Sequence, residues 1–120
     1  MRDLKISIEL ASAVLGKEVI KCSLINKSRN SINITYFEDK EDFNPICREW
    51  NIYEFAYKCK EWAENKGYII FSKNKECLVY SIDEVYDVIE CLNQYEDYFE
   101  GNTEIEAIIK SCNWILEQNK

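Results

Sequence analysis

The chain has 120 residues, 47% of them hydrophobic and 13% aromatic, enough apolar material for one folded core and too much for wholesale disorder. Its net charge is −7 and its pI about 4.7, a balance that argues against direct binding of nucleic acid. It contains no histidine, which excludes Ser-His-Asp and Cys-His catalysis and any zinc site that needs a His ligand.

Residues 7–15 predict a short helix, with Ser7 as its cap and Gly16 at the position that favours glycine just past a helix end. Residues 18–26 then alternate, with Ile20, Cys22 and Leu24 on one side and Lys21 and Ser23 on the other. A polar break at 27–30 leads into a second alternating run, 31–37, whose Ile32, Ile34 and Tyr36 share a face. Two such runs around a short polar break predict an antiparallel hairpin. Residues 38–50 read as a loop.

Asn51 and Glu54 form a capping box at the start of a helix running to about Lys66, where Gly67 stops it. Ile52, Phe55, Ala56, Cys59, Trp62 and Ala63 recur at helical spacing and predict its buried stripe. Residues 68–72 and 77–81, separated by Lys-Asn-Lys-Glu, predict a second hairpin. Beyond it, Ser81 and Glu84 make another capping box, and Ile82, Val85, Ile89 and Leu92 keep helical spacing. That favours a helix over 82–93 followed by a strand at 95–99; the alternative is a strand over 86–92 paired with 95–99. Thr103 and Glu106 open the last helix, to about Glu117, with Ile105, Ile108, Ile109, Cys112 and Leu116 as its apolar stripe. The expected architecture is a single α+β domain over 1–120. It has an antiparallel sheet, two main helices (51–66 and 103–117) and one or two minor ones.

The charge is unevenly spread. The first 82 residues hold 12 acids and 13 bases, whereas residues 83–120 hold 10 acids and two bases. Asp83, Glu84, Asp87, Glu90, Glu96, Asp97, Glu100, Glu104 and Glu106 follow one another with no intervening Lys or Arg. Tyr86, Tyr95, Tyr98 and Phe99 lie among them, and aromatics are favoured in binding surfaces. A one-signed tract of this kind attracts cationic partners, and an array of carboxylates competes with a phosphate backbone for the same lysines and arginines. The plainer reading is a solvated acidic face that keeps the protein in solution.

Two further groups bear on function. Glu38, Asp39, Glu41 and Asp42 surround Lys40, and clustered carboxylates suit Mg²⁺ or Ca²⁺. The spacing is not that of an EF-hand. Glu38-Asp39-Lys40 has the Glu-x-Lys form of one nuclease family, but that family needs an Asp on the preceding strand, and residues 18–26 contain none. Phe43, Trp50 and Tyr53, near Arg48, are candidates for a stacking platform, or for the edge of a core. Three glycines (Gly16, Gly67 and Gly101) cannot build a dinucleotide or P-loop phosphate cradle.

The six cysteines (Cys22, Cys47, Cys59, Cys77, Cys91 and Cys112) include no Cys-x-x-Cys pair and read as reduced, buried small hydrophobes. The N-terminal residues carry no apolar export signal, and no stretch approaches the ~18 apolar residues of a membrane span. A cytoplasmic location is therefore expected, with no membrane partner.

The segment Tyr98-Phe99-Glu100-Gly101-Asn102-Thr103-Glu104-Ile105-Glu106-Ala107-Ile108-Ile109-Lys110 resembles the closing strand and helix of small phage-encoded α/β sandwich proteins. Asn51-Ile52-Tyr53-Glu54-Phe55-Ala56, with Lys58-Cys59-Lys60-Glu61-Trp62, resembles their first helix. The resemblance covers residues 51–117 and leaves the hairpin at 18–37 unexplained. It implies a layered helix–sheet–helix fold, a phage origin and, by analogy, an inhibitor of host defence of the anti-CRISPR kind.

The expected function is a non-enzymatic acidic binding protein that blocks a basic surface of a host protein. Asp83, Glu84, Asp87, Glu90, Glu96, Asp97 and Glu100 would steer, and Tyr86, Tyr95, Tyr98 and Phe99 would anchor. No cofactor, metal or direct nucleic-acid ligand is expected. The chain would act as a monomer or a small homo-oligomer. The alternatives are a small-ligand or metal-binding protein, or a metal-assisted enzyme, using the 38–54 loop, and a homo-oligomeric accessory protein.

Overall fold

Ser7 and Gly16 set the two ends of the first helix in the computed structural model, which describes residues 6–26, 30–41, 43–81 and 97–120. The Ser7 hydroxyl accepts the Leu10 N–H at 3.0 Å, and Gly16, at φ 65°, closes α1 (Ile8–Leu15) in the left-handed region. The Ser12 hydroxyl then accepts the Val19 N–H at 3.2 Å and ties α1 to the strand that follows.

The chain is α+β, and its antiparallel strands divide between two three-stranded sheets. It also divides into two compact units, residues 1–58 and 59–120.

In the first unit, β1 (Glu18–Asn26), β2 (Ser31–Phe37) and β3 (Ile46–Asn51) form a sheet in that order. Ile32, Ile34 and Tyr36 are buried on one face of β2, as their alternation predicts. The pattern in β1 is different. Val19 pairs with Tyr36 and Lys21 with Thr35, so Ile20 is an extra residue in a β-bulge. The bulge resets the alternation: Val19 is 4% exposed and Ile20 is 44% exposed. The expectation that Ile20 faces the core with Cys22 is therefore corrected. Val19→Ala should destabilise the protein by about 1–3 kcal/mol, whereas Ile20→Ala should stay within about 0.5 kcal/mol. Urea denaturation of the two variants measures the difference.

Strand β3 replaces the second half of the expected loop. It pairs along β2 from Ser31↔Asn51 to Tyr36↔Ile46, and Trp50 is its one buried side chain. An edge strand with a single inward residue has no alternation to detect. Its backbone partners, not its side chains, make it a strand.

Helix α2 (Ile52–Asn65) begins where β3 stops. The Asn51 side chain accepts the Tyr53 N–H at 2.8 Å, and the Ile52 N–H reaches the Asn30 carbonyl at 2.8 Å. Glu54, the other half of the capping box, lies 4.0 Å from the Arg48 guanidinium. All six residues of the predicted stripe are buried. Gly67, at φ 93°, ends the helix as expected.

The second unit contains the C-terminal part of α2, a sheet ordered β4 (Tyr68–Lys73), β5 (Glu76–Ser81) and β6 (Asp97–Glu100), and α3 (Glu104–Gln118). Strands β4 and β5 join through a two-residue turn with Asn74 at φ 56°, a conformation asparagine tolerates. Gly101 gives its N–H to the Lys75 carbonyl at 3.0 Å before the chain turns into α3. A Cβ at Gly101 would lie 2.8 Å from the Ala107 nitrogen, so this corner requires glycine. Thr103 caps α3 by accepting the Glu106 N–H at 3.1 Å. Glu106 reaches back one residue further than a capping box predicts, to the Asn102 N–H at 3.2 Å.

Helix α3 packs on the sheet with Ile105, Ala107, Ile108, Ile109, Ser111, Cys112 and Ile115 buried. Leu116, assigned to the stripe from sequence, is half-buried, and Ile115 takes the core position. The helix-or-strand alternatives for 82–93, and the start of the strand expected at 95–99, lie outside the described residues.

Candidate functional site

Alternation along β6 divides the described part of the acidic tract between two faces. Phe99 stands opposite Cys77, and Asp97 opposite Val79, on the face covered by α3. There Trp114 meets Tyr68 edge-on at 5.7 Å between ring centres and Phe99 at 6.3 Å. Phe99 is thus part of the sheet–helix packing. Tyr98 and Glu100 lie on the other face, with Glu76, Leu78 and Phe71.

On that face Glu76 is directly opposite Glu100 across the β5–β6 ladder. Like charges at paired positions repel and are unfavourable in a sheet. The Tyr98 hydroxyl lies between them and donates to the Glu100 carboxylate at 2.5 Å. This hydrogen bond is the main reason the Tyr98 phenol is pushed far above its ordinary range. Partial burial and the neighbouring Glu76 carboxylate push it the same way. Tyr98 therefore keeps its proton and serves as a fixed donor to a pair of carboxylates. Phe71, exposed, and Leu78, half-buried, supply apolar surface beside them, with Phe71 edge-on to Tyr80 at 5.2 Å.

Two further acids of the tract, Glu104 and Glu106, are engaged by cations of the same unit. Lys60 Nζ donates to the Ser72 hydroxyl at 2.6 Å, and that hydroxyl donates to Glu104 at 2.6 Å. Ser72 thus bridges a lysine on α2 and a glutamate at the start of α3. A serine beside a lysine can serve as a nucleophile when the lysine is neutral. Here Ser72 both accepts from Lys60 and donates to Glu104, and the trio reads as an ion pair bridged by a hydroxyl. Lys110 donates to the Glu100 carbonyl at 2.8 Å and lies 3.4 Å from Glu106. These two residues line a shallow cleft of about 280 Å³ with Gly101, Asn102 and Glu100. Asp83, Glu84, Asp87, Glu90, Glu96, Tyr86 and Tyr95 lie outside the described residues.

In the first unit the described loop acids, Glu38, Asp39 and Glu41, do not converge on a metal-binding group, and Asp42 lies outside the described residues. Lys17 donates to the Glu38 carbonyl at 2.9 Å and lies 3.5 Å from its carboxylate. Asp39 accepts the N–H of Lys40 at 3.0 Å. A cleft of about 620 Å³ runs between Gly16, Lys17 and Glu18 on one side and Phe37, Glu38, Asp39 and Lys40 on the other. Among the described residues no group of three or more Cys, Asp or Glu side chains is placed to hold a metal ion.

The aromatic platform is not assembled. Trp50 is 5% exposed and Phe43 is 96% exposed, with Tyr53 also in solvent. The Arg48 guanidinium covers the Trp50 ring at 4.0 Å from its centre, and the Lys58 ammonium is 5.5 Å away. Trp50 thus closes a core edge beneath two cations, and its buried indole N–H makes no hydrogen bond among the described residues.

Cys59, Cys77 and Cys112 are free and buried, as read from their apolar surroundings; Cys22 is half-buried and Cys47 is exposed. Burial pushes the Cys22 and Cys77 thiols up to about 11, so neither is a nucleophile near neutral pH. Cys91 lies outside the described residues.

Sequence reasoning missed Glu76, Ser72 and Lys60. Their signal was register: Glu76 is 24 residues from Glu100 in the chain, and only the β5–β6 pairing brings them together. Among the described residues no helix is long and apolar enough to cross a membrane. No protein-family model matches this chain, and no curated protein or solved structure shows significant similarity to it.

Proposed function

We propose that this chain is a non-enzymatic binding protein that presents the Glu76–Tyr98–Glu100 face to a cationic surface of another protein. The observation that carries this reading is the placement of two carboxylates at directly paired positions, held there by a phenol that donates to one of them. Two adjacent like charges cost stability in the free protein, and a lysine or arginine of a partner relieves that cost on docking. The exposed Phe71 ring and the Tyr98 ring add apolar contact area next to the charges. The net charge of −7 steers the approach. On this reading the partner is a nucleic-acid-binding protein of the host, whose basic groove is complementary to such a face. The phage resemblance points to a defence nuclease in that role.

A cationic peptide rich in lysine and arginine is the defined probe. Glu76→Lys with Glu100→Lys should weaken its binding about tenfold or more, and rising salt should weaken wild-type binding. Glu41→Lys with Glu49→Lys changes the net charge equally at exposed positions of the first unit and serves as the control. Equal losses in the two double variants would show that net charge alone attracts the peptide, and the assignment of this face would fail.

A further inference from the structure

The second unit buries two thiols against each other. Cys59, on α2, and Cys112, on α3, are both fully buried. The Cys112 thiol donates to the Cys59 carbonyl at 3.7 Å, which places its sulfur on the turn of α2 that carries Cys59. The Cys59 and Cys112 side chains also lie within hydrogen-bonding reach of each other. A third thiol, Cys77 on β5, lies near Cys112 with the Ser111 hydroxyl beside it. Ser111 also donates to the Ala107 carbonyl at 2.9 Å. Cys59 and Cys112 are therefore the facing pair, and Cys77 has the Ser111 hydroxyl as its hydrogen-bond partner.

Two thiols in side-chain contact need little movement to bond, provided the backbone lets the sulfurs close to bonding distance. We propose that Cys59 and Cys112 are an oxidative modification site, where peroxide links α2 to α3 through an intramolecular disulfide. One sulfur, as thiolate, attacks the O–O bond of hydrogen peroxide. It becomes a sulfenic acid and expels hydroxide, which takes up a proton to leave as water. The second sulfur attacks the sulfenic sulfur, forms the S–S bond, and a second water leaves. Two S–H groups give up two electrons and two protons, and one peroxide is reduced to two waters. Both thiols are fully buried, so even a small oxidant such as hydrogen peroxide reaches them only by local opening of the fold. The hydrogen bond with Cys112, and burial after it, hold Cys59 in its thiol form, so the reaction is slow near neutral pH and faster at higher pH.

The bond would join two segments 53 residues apart and constrain the unfolded chain, which raises the melting temperature of the oxidised form. It also gives the protein a state that records exposure to oxidant without using the exposed Cys47.

The test uses the full chain carrying Cys47→Ser, which removes the exposed thiol and with it cross-linking between molecules. The folded protein is treated with hydrogen peroxide at neutral and at raised pH, and the remaining thiols are alkylated in denaturant. Peptide mapping then identifies the linked cysteines. The expected result is a Cys59–Cys112 peptide lighter by two hydrogens than its separate parts. It forms faster at the higher pH, is reversed by dithiothreitol and raises the melting temperature. Cys112→Ser in the same background should abolish the link and leave Cys59 alkylatable. A dominant link to Cys77, oxidation of both cysteines to sulfinic acids without a link, or unreacted Cys59 and Cys112 at raised pH would each overturn the assignment.

Discussion

Replacing Phe55 with alanine should lower the unfolding free energy by about 3–5 kcal/mol. Among the described residues Phe55 is the largest fully buried side chain, and it lies on the inward face of α2, between Ile52 and Cys59. Helix α2 is 14 residues long. Helices near that length are marginal on their own and gain most of their stability from packing an apolar face. Removing the ring forfeits the transfer free energy of its atoms and leaves a cavity that a close-packed interior fills only in part. Tyr53→Ala and Tyr57→Ala, on the exposed side of the same helix, should stay within about 0.5 kcal/mol. Chemical denaturation of the three variants measures this. A loss below about 1 kcal/mol for Phe55→Ala would mean that the stripe does not hold the helix.

The second large effect is at the other end of the chain. Ile115→Ala should cost about 2–5 kcal/mol, and Leu116→Ala, one residue on, clearly less. The two residues are isomers, so the comparison isolates position from size. Ile115 is fully buried on α3, and its carbonyl accepts both the backbone and the side-chain N–H of Asn119, at 3.2 and 2.9 Å. The last turn is therefore capped from the residue that anchors it. Leu116 is half-buried. Equal losses for the two substitutions would place both in the core and contradict the orientation of the last turn.

The two pairs of neighbours that the structure reorders, Val19 with Ile20 and Ile115 with Leu116, have a common cause. Apolar periodicity locates an element, but it assigns faces only while the period is undisturbed. In β1 the bulge at Ile20 advances the alternation by one residue. On α3 a broad face is buried, taking in Ala107 and Ser111, so a narrow stripe drawn from large apolar residues stops at the wrong neighbour. Strand β3 was invisible for a related reason: the side chains of Ile46, Cys47, Arg48 and Glu49 are all exposed, and only hydrogen bonds to β2 define it.

The candidate site was legible in part. The acidic tract drew attention to Tyr98 and Glu100. It did not separate them from Asp97 and Phe99, because adjacent residues of a strand face opposite ways and the strand's inward side depends on what covers it. The tract also concealed its own neutralisation. Glu104 is reached by Lys60 through Ser72, and Glu106 by Lys110, so a count of charges overstates the free negative surface.

By itself the sequence determined the α+β class, the limits of the three described helices and both hairpins. Caps, turn residues and local periodicity act over a few neighbouring residues, and each is written out in order along the chain. Tertiary structure alone decided the division into two sheets, the identity of the buried neighbours, and the meetings of Glu76 with Glu100 and of Cys59 with Cys112. Those depend on pairing and packing between segments far apart in the chain, where no local preference distinguishes one register from the next.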